Sequence, residues 1–200
     1  MHDFFQQIFQ QFNQTTWLEW IGTLTGFMCV YLAAKQNILN WPISIISVLA
    51  YAFLFFESKL YGDAVLQLYF LFTAVYGWYY WIRKTKRDEK PIVAFSNRQM
   101  LYTVLIIFVL AGLLGIFLDH ITDSDVPYAD GFCTSVSFVA QFLMTRKVLQ
   151  NWILWIFVDL CYIPLYFHKS LLLTAILYLA FAFIAWNGYH DWNRTYQKSK

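Results

Sequence analysis

The sequence predicts an all-α integral membrane protein, with seven transmembrane helices in a 3+1+3 arrangement behind a short amphipathic helix. Three observations carry this. The 200 residues are 60% hydrophobic and only 13% charged, with a mean hydropathy of +0.48, which is more apolar surface than a soluble domain of this length can cover. Apolar stretches of near-spanning length recur along the whole chain. Two long segments also repeat one another without a gap.

At residues 1–16, Phe4, Phe5, Ile8, Phe9 and Phe12 recur at helical spacing, with glutamines between them. They predict an amphipathic helix lying in the outer interface as an anchor or packing element. There is no basic start and no small-residue cleavage site, so no secretory leader is expected. A hydrocarbon core of about 30 Å needs roughly 20 helical residues. Spans fit at 17–35, 41–57, 61–82, 101–118, 131–146, 151–167 and 171–192. The two short ones carry Trp41 and Trp152 at one end, where an interfacial ring is also at home. Trp78, Trp81 and Trp192 read as belt anchors. The stretch 83–130 holds a basic loop, a linking helix at about 101–118 and an acidic loop with Asp119, Asp123, Asp125 and Asp130; 193–200 reads as a tail. Gly112 and Gly115 lie in an aliphatic run of the linking helix, which reads as structural and offers a face to a neighbouring subunit.

Seven spans place the chain ends on opposite sides of the membrane. Of the 14 lysines and arginines, only Lys59 and Lys169 fall on the amino-terminal side. The positive-inside rule then puts the carboxy terminus in the cytoplasm and the amino terminus outside. A net charge of +2 by itself says nothing about nucleic acid, and no nucleic-acid partner is expected. Cys29, Cys133 and Cys161 lack C-x-x-C spacing and a histidine cluster, so neither a disulfide framework nor a metal or other cofactor is expected.

Residues 40–56, NWPISIISVLAYAFLFF, match 151–167, NWILWIFVDLCYIPLYF, at a constant offset of 111. The match pairs Asn40 with Asn151, Trp41 with Trp152 and Tyr51 with Tyr162, and extends to Thr23 with Thr134, Gly77 with Gly188 and Trp81 with Trp192. About nineteen of roughly sixty aligned positions are identical, which points to duplication. The copies, 17–82 and 131–192, begin an even number of spans apart and so cross in the same direction. This is a parallel repeat about an axis along the membrane normal, the SWEET-like arrangement.

The copies differ in a telling way. Opposite Val30, Ser44, Val48 and Tyr76 stand Gln141, Trp155, Asp159 and Asn187, so the second copy carries the polar and aromatic groups. Trp152, Trp155, Asp159 and Tyr162 share one helix face, as do Thr134, Ser137 and Gln141 on the preceding helix. A lipid-facing carboxylate costs several kcal/mol, so this face looks into the bundle or a water-filled cavity. Asp159 is therefore a candidate site residue, its bland alternative being a carboxyl that fastens helices together. Interhelical glue is likewise the alternative for Gln141 and Asn187.

These residues resemble a known family. The motifs are N-W-P at 40–42, K-L-Y-G-D-A-V-L-Q at 59–67, Y-G-W-Y-Y-W at 76–81, Q-F-L-M-T-R-K at 141–147 and N-W-x-x-W at 151–155. The chain is similar to the PnuC family of bacterial vitamin transporters, and within it to those for nicotinamide riboside. The resemblance implies an inner-membrane homotrimer of 3+1+3 subunits, each a facilitator, with uptake made unidirectional by cytoplasmic phosphorylation of the nucleoside. It implies substrate contacts at Trp152, Trp155, Asn151 and Asn187, with Gln67 and Gln141 as further contacts. Relatives with this fold carry thiamine or riboflavin, so the substrate within the family stays open. A pyridinium nucleoside needs aromatic faces, polar partners for its ribose and a counter-charge. Trp41, Trp152, Trp155 and Tyr162, Gln141 and Asn187, and Asp159 are the respective candidates.

Other classes fit less well. A retinal protein requires a lysine deep in the last span, and 171–192 has none. A seven-helix ligand-sensing receptor does not explain the duplication. An enzyme would need a positioned acid–base pair, yet His168 and His190 lie a helix length apart, and there is no Walker-type loop for ATP-driven transport.

Overall fold

The structure, a computed structural model, describes residues 17–57, 61–83, 91–122, 126–168 and 172–199. The amphipathic stripe expected at 1–16 lies outside them, as do Lys59, Lys169, Asp123 and Asp125. The helices are α1 (Trp17–Ala34), α2 (Asn40–Glu57), α3 (Tyr61–Ile82), α4 (Asn97–Ile121), α5 (Pro127–Thr145), α6 (Asn151–His168) and α7 (Leu172–Ser199). The 25 residues of α4 are long and apolar enough to cross a membrane. The 18 residues of α1, α2 and α6 reach about 27 Å at 1.5 Å per residue, close to the hydrocarbon thickness.

Three boundaries differ from the hydropathy reading, each for a local reason. Helix α4 starts before 101 because Ser96 caps it: the Gln99 amide N–H donates to Ser96 Oγ, and the Ser96 amide N–H donates to Gln99 Oε1. That reciprocal box satisfies two otherwise orphaned donors. Helix α5 starts at Pro127, whose ring suits the first helical turn. Helix α7 runs past 192, where Lys35 Nζ donates to Asp191 Oδ2 at 2.7 Å and Gln36 Nε2 to Thr195 Oγ1 at 3.4 Å.

Helix α1 packs on α2 and α7, α3 on α2 and α5, and α6 on α5 and α7. These six follow one another in a closed ring. Among the described residues α4 packs on α5 alone, outside that ring. The α4–α5 crossing is close: a Cβ at Gly131 would lie 2.7 Å from the Gly115 backbone nitrogen. Gly115 therefore serves a contact within the chain, whereas Gly112 has open space beside it. Leu105, Phe108, Val109 and Leu113 of α4 are more than half exposed, an apolar face suited to lipid tails.

Local geometry recurs at the 111-residue offset. Among the described non-glycine residues, positive φ occurs at Gln36 (56°) and Lys147 (54°), in the turns after α1 and α5. Asn40 Nδ2 donates to Asn37 O and Asn151 Nδ2 to Val148 O, both at 2.7 Å. Trp41 meets Trp81 edge-on at 5.2 Å and 88°, and Trp152 meets Trp192 at 5.5 Å and 86°. The indole N–H of Trp81 donates to Thr145 O at 3.2 Å and that of Trp192 to Ala33 O at 3.1 Å. Trp81 and Trp192 are thus buried ties between helices rather than belt anchors, being 7% and 0% exposed.

These ties differ in weight. The Lys35–Asp191 pair is solvent-exposed, so screening leaves it little net effect. Lys35→Ala is expected to leave the melting temperature in detergent unchanged. Trp192→Phe removes a buried donor and part of a fully buried ring, at a cost of about 2 kcal/mol, and should lower the melting temperature measurably.

Candidate functional site

Inside the ring is a cavity of about 300 Å³, walled by α1, α2, α3, α5, α6 and α7 but not α4. Its chemistry follows from the helix faces that meet there. From α6 come Trp152, Trp155, Asp159 and Tyr162; α5 adds Thr134, Ser137 and Gln141. Both predicted stripes thus face the same space. From α1 and α2 come mostly small and apolar groups, including Gly26, Val30, Ser44 and Val48, the counterparts of the polar set. One wall is polar and aromatic and the other largely plain, so the cavity suits an unsymmetrical ligand.

Depth is set by the tryptophans. Trp41 (1% exposed) and Trp152 (0%) are inside the bundle, and each lies against a glycine of a neighbouring helix, Gly77 and Gly188 respectively. Trp155 is only half-buried and contacts both apolar clusters of the core. The indole nitrogens of Trp41, Trp152 and Trp155 are buried and find no acceptor among the described residues. Tyr162 and Tyr178 pair across α6 and α7 at 4.8 Å, extending the aromatic surface.

The electrostatics are simple. Asp159, 4% exposed, is the one charged side chain among the lining residues, and no lysine, arginine or histidine joins it. Basic groups gather elsewhere: Arg146 Nη1 donates to Tyr76 Oη at 2.7 Å and lies 4.9 Å over the Tyr80 ring, while Lys147 Nζ lies 4.5 Å over Trp81. Among the described residues no cluster of histidine, cysteine and carboxylate groups could hold a metal ion.

Of the sequence-predicted site residues, Trp41, Gln141, Trp152, Trp155, Asp159 and Tyr162 line the cavity. Asn151 is fully buried beside it, its amide turned to Val148 O. Asn187 is exposed on α7 and donates to Phe183 O at 3.0 Å, within its own helix. Gln67 is half-buried on α3 and does not reach the lining. Instead Asn40 and Tyr178 line it, the repeat counterparts of Asn151 and Gln67. The 111-residue offset relates each of them to a predicted residue and is the signal by which the sequence could have found them. Phe70 and Phe181, also counterparts, line it too.

The family of nicotinamide mononucleotide transporters matches residues 16–194. The nicotinamide riboside transporter PnuC of Neisseria mucosa is 30% identical over 199 residues, covering 92% of this chain and 74% of its own length. That of Escherichia coli K12 is 26% identical over 208 residues, covering 88% and 85%. The riboflavin/roseoflavin transporter RibM of Streptomyces davaonensis is 27% identical over 182 residues, covering 88% and 84%. The crystal structure of the vitamin B3 transporter PnuC superposes with a TM-score of 0.75 at 28% identity, over 98% of this chain and 88% of that one. With a membrane-length helix, a cavity enclosed by the other six and a family match over nearly its whole length, the chain belongs to the nicotinamide mononucleotide transporter (PnuC) family.

Proposed function

We propose that the protein carries nicotinamide riboside across the bacterial inner membrane by facilitated diffusion, and that cytoplasmic phosphorylation traps the nucleoside as an NAD precursor. The observation that carries this is the cavity's composition: aromatic walls, amide and hydroxyl groups, one carboxylate and no cation. A mononucleotide brings a phosphate, which calls for lysine, arginine or a helix N-terminus; a cationic riboside needs none. Riboflavin is the second reading, favoured by the similarity to RibM. Against it, about 300 Å³ is at the small end for ligand pockets and suits a single-ring nucleoside better than a tricyclic flavin.

Two three-helix copies, α1–α3 and α5–α7, rock about the cavity, with α4 returning the chain for the second. Exchanging the copies turns the α1–α7 neighbourhood into α5–α3, and both are present, which supports this SWEET-like reading. The basic side chains near the α1–α2 and α5–α6 turns support a cytoplasmic location for that end. The exposed apolar face of α4 suits lipid or the interface of a homotrimer. Substrate contacts fall to Trp155, Tyr162, Gln141, Trp41 and Trp152, with Asn151 shaping the turn beneath them and Gln67 and Asn187 outside the lining.

Uptake of radiolabelled nicotinamide riboside into proteoliposomes tests the mechanism. The expected result is saturable entry that stops when inside and outside concentrations are equal, unaffected by an imposed pH gradient. Accumulation driven by that gradient would overturn facilitated diffusion, and uptake of riboflavin alone would overturn the substrate.

A further inference from the structure

We propose that Asp159 makes the protein selective for the oxidised, cationic form of its nicotinamide nucleoside over the neutral dihydro form. This rests on the reading of the cavity as the nicotinamide riboside site. The two ligands share a skeleton and differ at the ring: the pyridinium carries a positive charge, which two-electron reduction with hydride addition removes.

Asp159 is 96% buried by its 4% exposure and lies on the cavity wall. No hydrogen bond or ion pair joins its carboxylate to any described residue, so it fastens no helices together. Nor does the fold need a carboxylate at this place. Its counterpart in the first copy, Val48, is 8% exposed and lines the same cavity, so hydrocarbon fills the equivalent position. A buried charge without a partner is costly, and Asp159 lies on the wall of the cavity, from which a partner can come.

The surroundings specify that partner. Trp155 and Tyr162 lie one turn before and one turn after Asp159 on the same helix face, and Tyr178 adds its ring from α7. A flat cation resting on these faces is attracted by their quadrupoles and has the carboxylate within the same wall. A neutral dihydropyridine of equal size keeps the apolar contact and loses both charge terms, while leaving Asp159 buried and unpaired. Discrimination thus comes from the penalty on the wrong ligand as much as from attraction to the right one.

The test is equilibrium binding of nicotinamide riboside and 1,4-dihydronicotinamide riboside to the purified full-length protein and to Asp159→Asn and Asp159→Glu. Wild type is expected to bind the cation at least about tenfold more tightly than the neutral form. In Asp159→Asn that ratio falls to about one, chiefly through weaker binding of the cation, while Asp159→Glu keeps the preference. Retained affinity for the neutral form reports an intact fold. A wild-type protein that binds both forms equally overturns the proposal without any variant, as does an unchanged ratio in Asp159→Asn. Wild type that binds neither form would instead overturn the assignment of nicotinamide riboside itself.

Discussion

Trp155→Ala is expected to weaken nicotinamide riboside binding by about 30- to 100-fold while lowering the melting temperature less than Trp152→Ala does. The magnitude follows from what the ring face offers. A desolvated cation–π contact is worth about 2 kcal/mol or more, base-on-aromatic stacking about 1–3 kcal/mol, and each 1.4 kcal/mol is about a factor of ten. Trp155 faces the cavity and is half-buried, so its removal enlarges an existing space rather than hollowing the core. Calorimetric titration of purified protein would show the loss, and Trp155→Phe, which keeps a ring face, should recover much of it. Unchanged affinity in Trp155→Ala would place the substrate elsewhere. Trp152→Ala is a poorer probe, because Trp152 is 0% exposed and packs edge-on against Trp192. Its truncation should cost about 3–5 kcal/mol of stability and confound any loss of binding.

Gly77→Ala should be the most destabilising single-methyl addition among the helix glycines near the cavity. Helix propensity alone favours alanine by about 1 kcal/mol. The new Cβ, however, would overlap the Trp41 ring, which is 1% exposed and held edge-on by Trp81. Overpacking against an immobile ring costs about 1–3 kcal/mol and occasionally more, so the sign is destabilising. Gly188→Ala meets Trp152 at 2.9 Å, a milder approach, and should be the weaker of the two. Melting followed by fluorescence-detected size exclusion would rank them; a Gly77→Ala protein as stable as wild type would mean that Trp41 can move aside. Both glycines thus have a packing reason, each lying against a buried indole.

Much of the fold was legible because the membrane imposes a coarse code. Apolar length gives the spans, and their interruption at 35–39 or 146–150 gives the turns. Some boundaries are written in the chain itself: Ser96 with Gln99 is a capping signature, and Pro127 a helix start. The run 193–199 was different: it continues α7 past the hydropathy boundary, and the partners of α7 there, Lys35 and Gln36, are remote in sequence.

The site was legible to the extent that a single charge marks a face. Asp159 orients α6, since its carboxylate has to turn away from lipid, and Trp155 and Tyr162 follow by periodicity. Asn151, Asn187 and Gln67 had no such marker. In water a helix shows its inward face by the contrast of apolar and polar sides; in lipid both sides are apolar, and an amide can be satisfied by its own backbone, as Asn187 is by Phe183 O. Composition, offset and charge thus determined the number of helices, the repeated organisation to be expected and the aromatic–carboxylate chemistry of α6. Only the tertiary structure decided that Asn40 and Tyr178, rather than Asn151 and Gln67, line the cavity, and that Trp81 and Trp192 are buried ties. Which side of a helix meets its neighbours depends on how the helices pack around the ring, and lipid outside imposes no polarity that would reveal it.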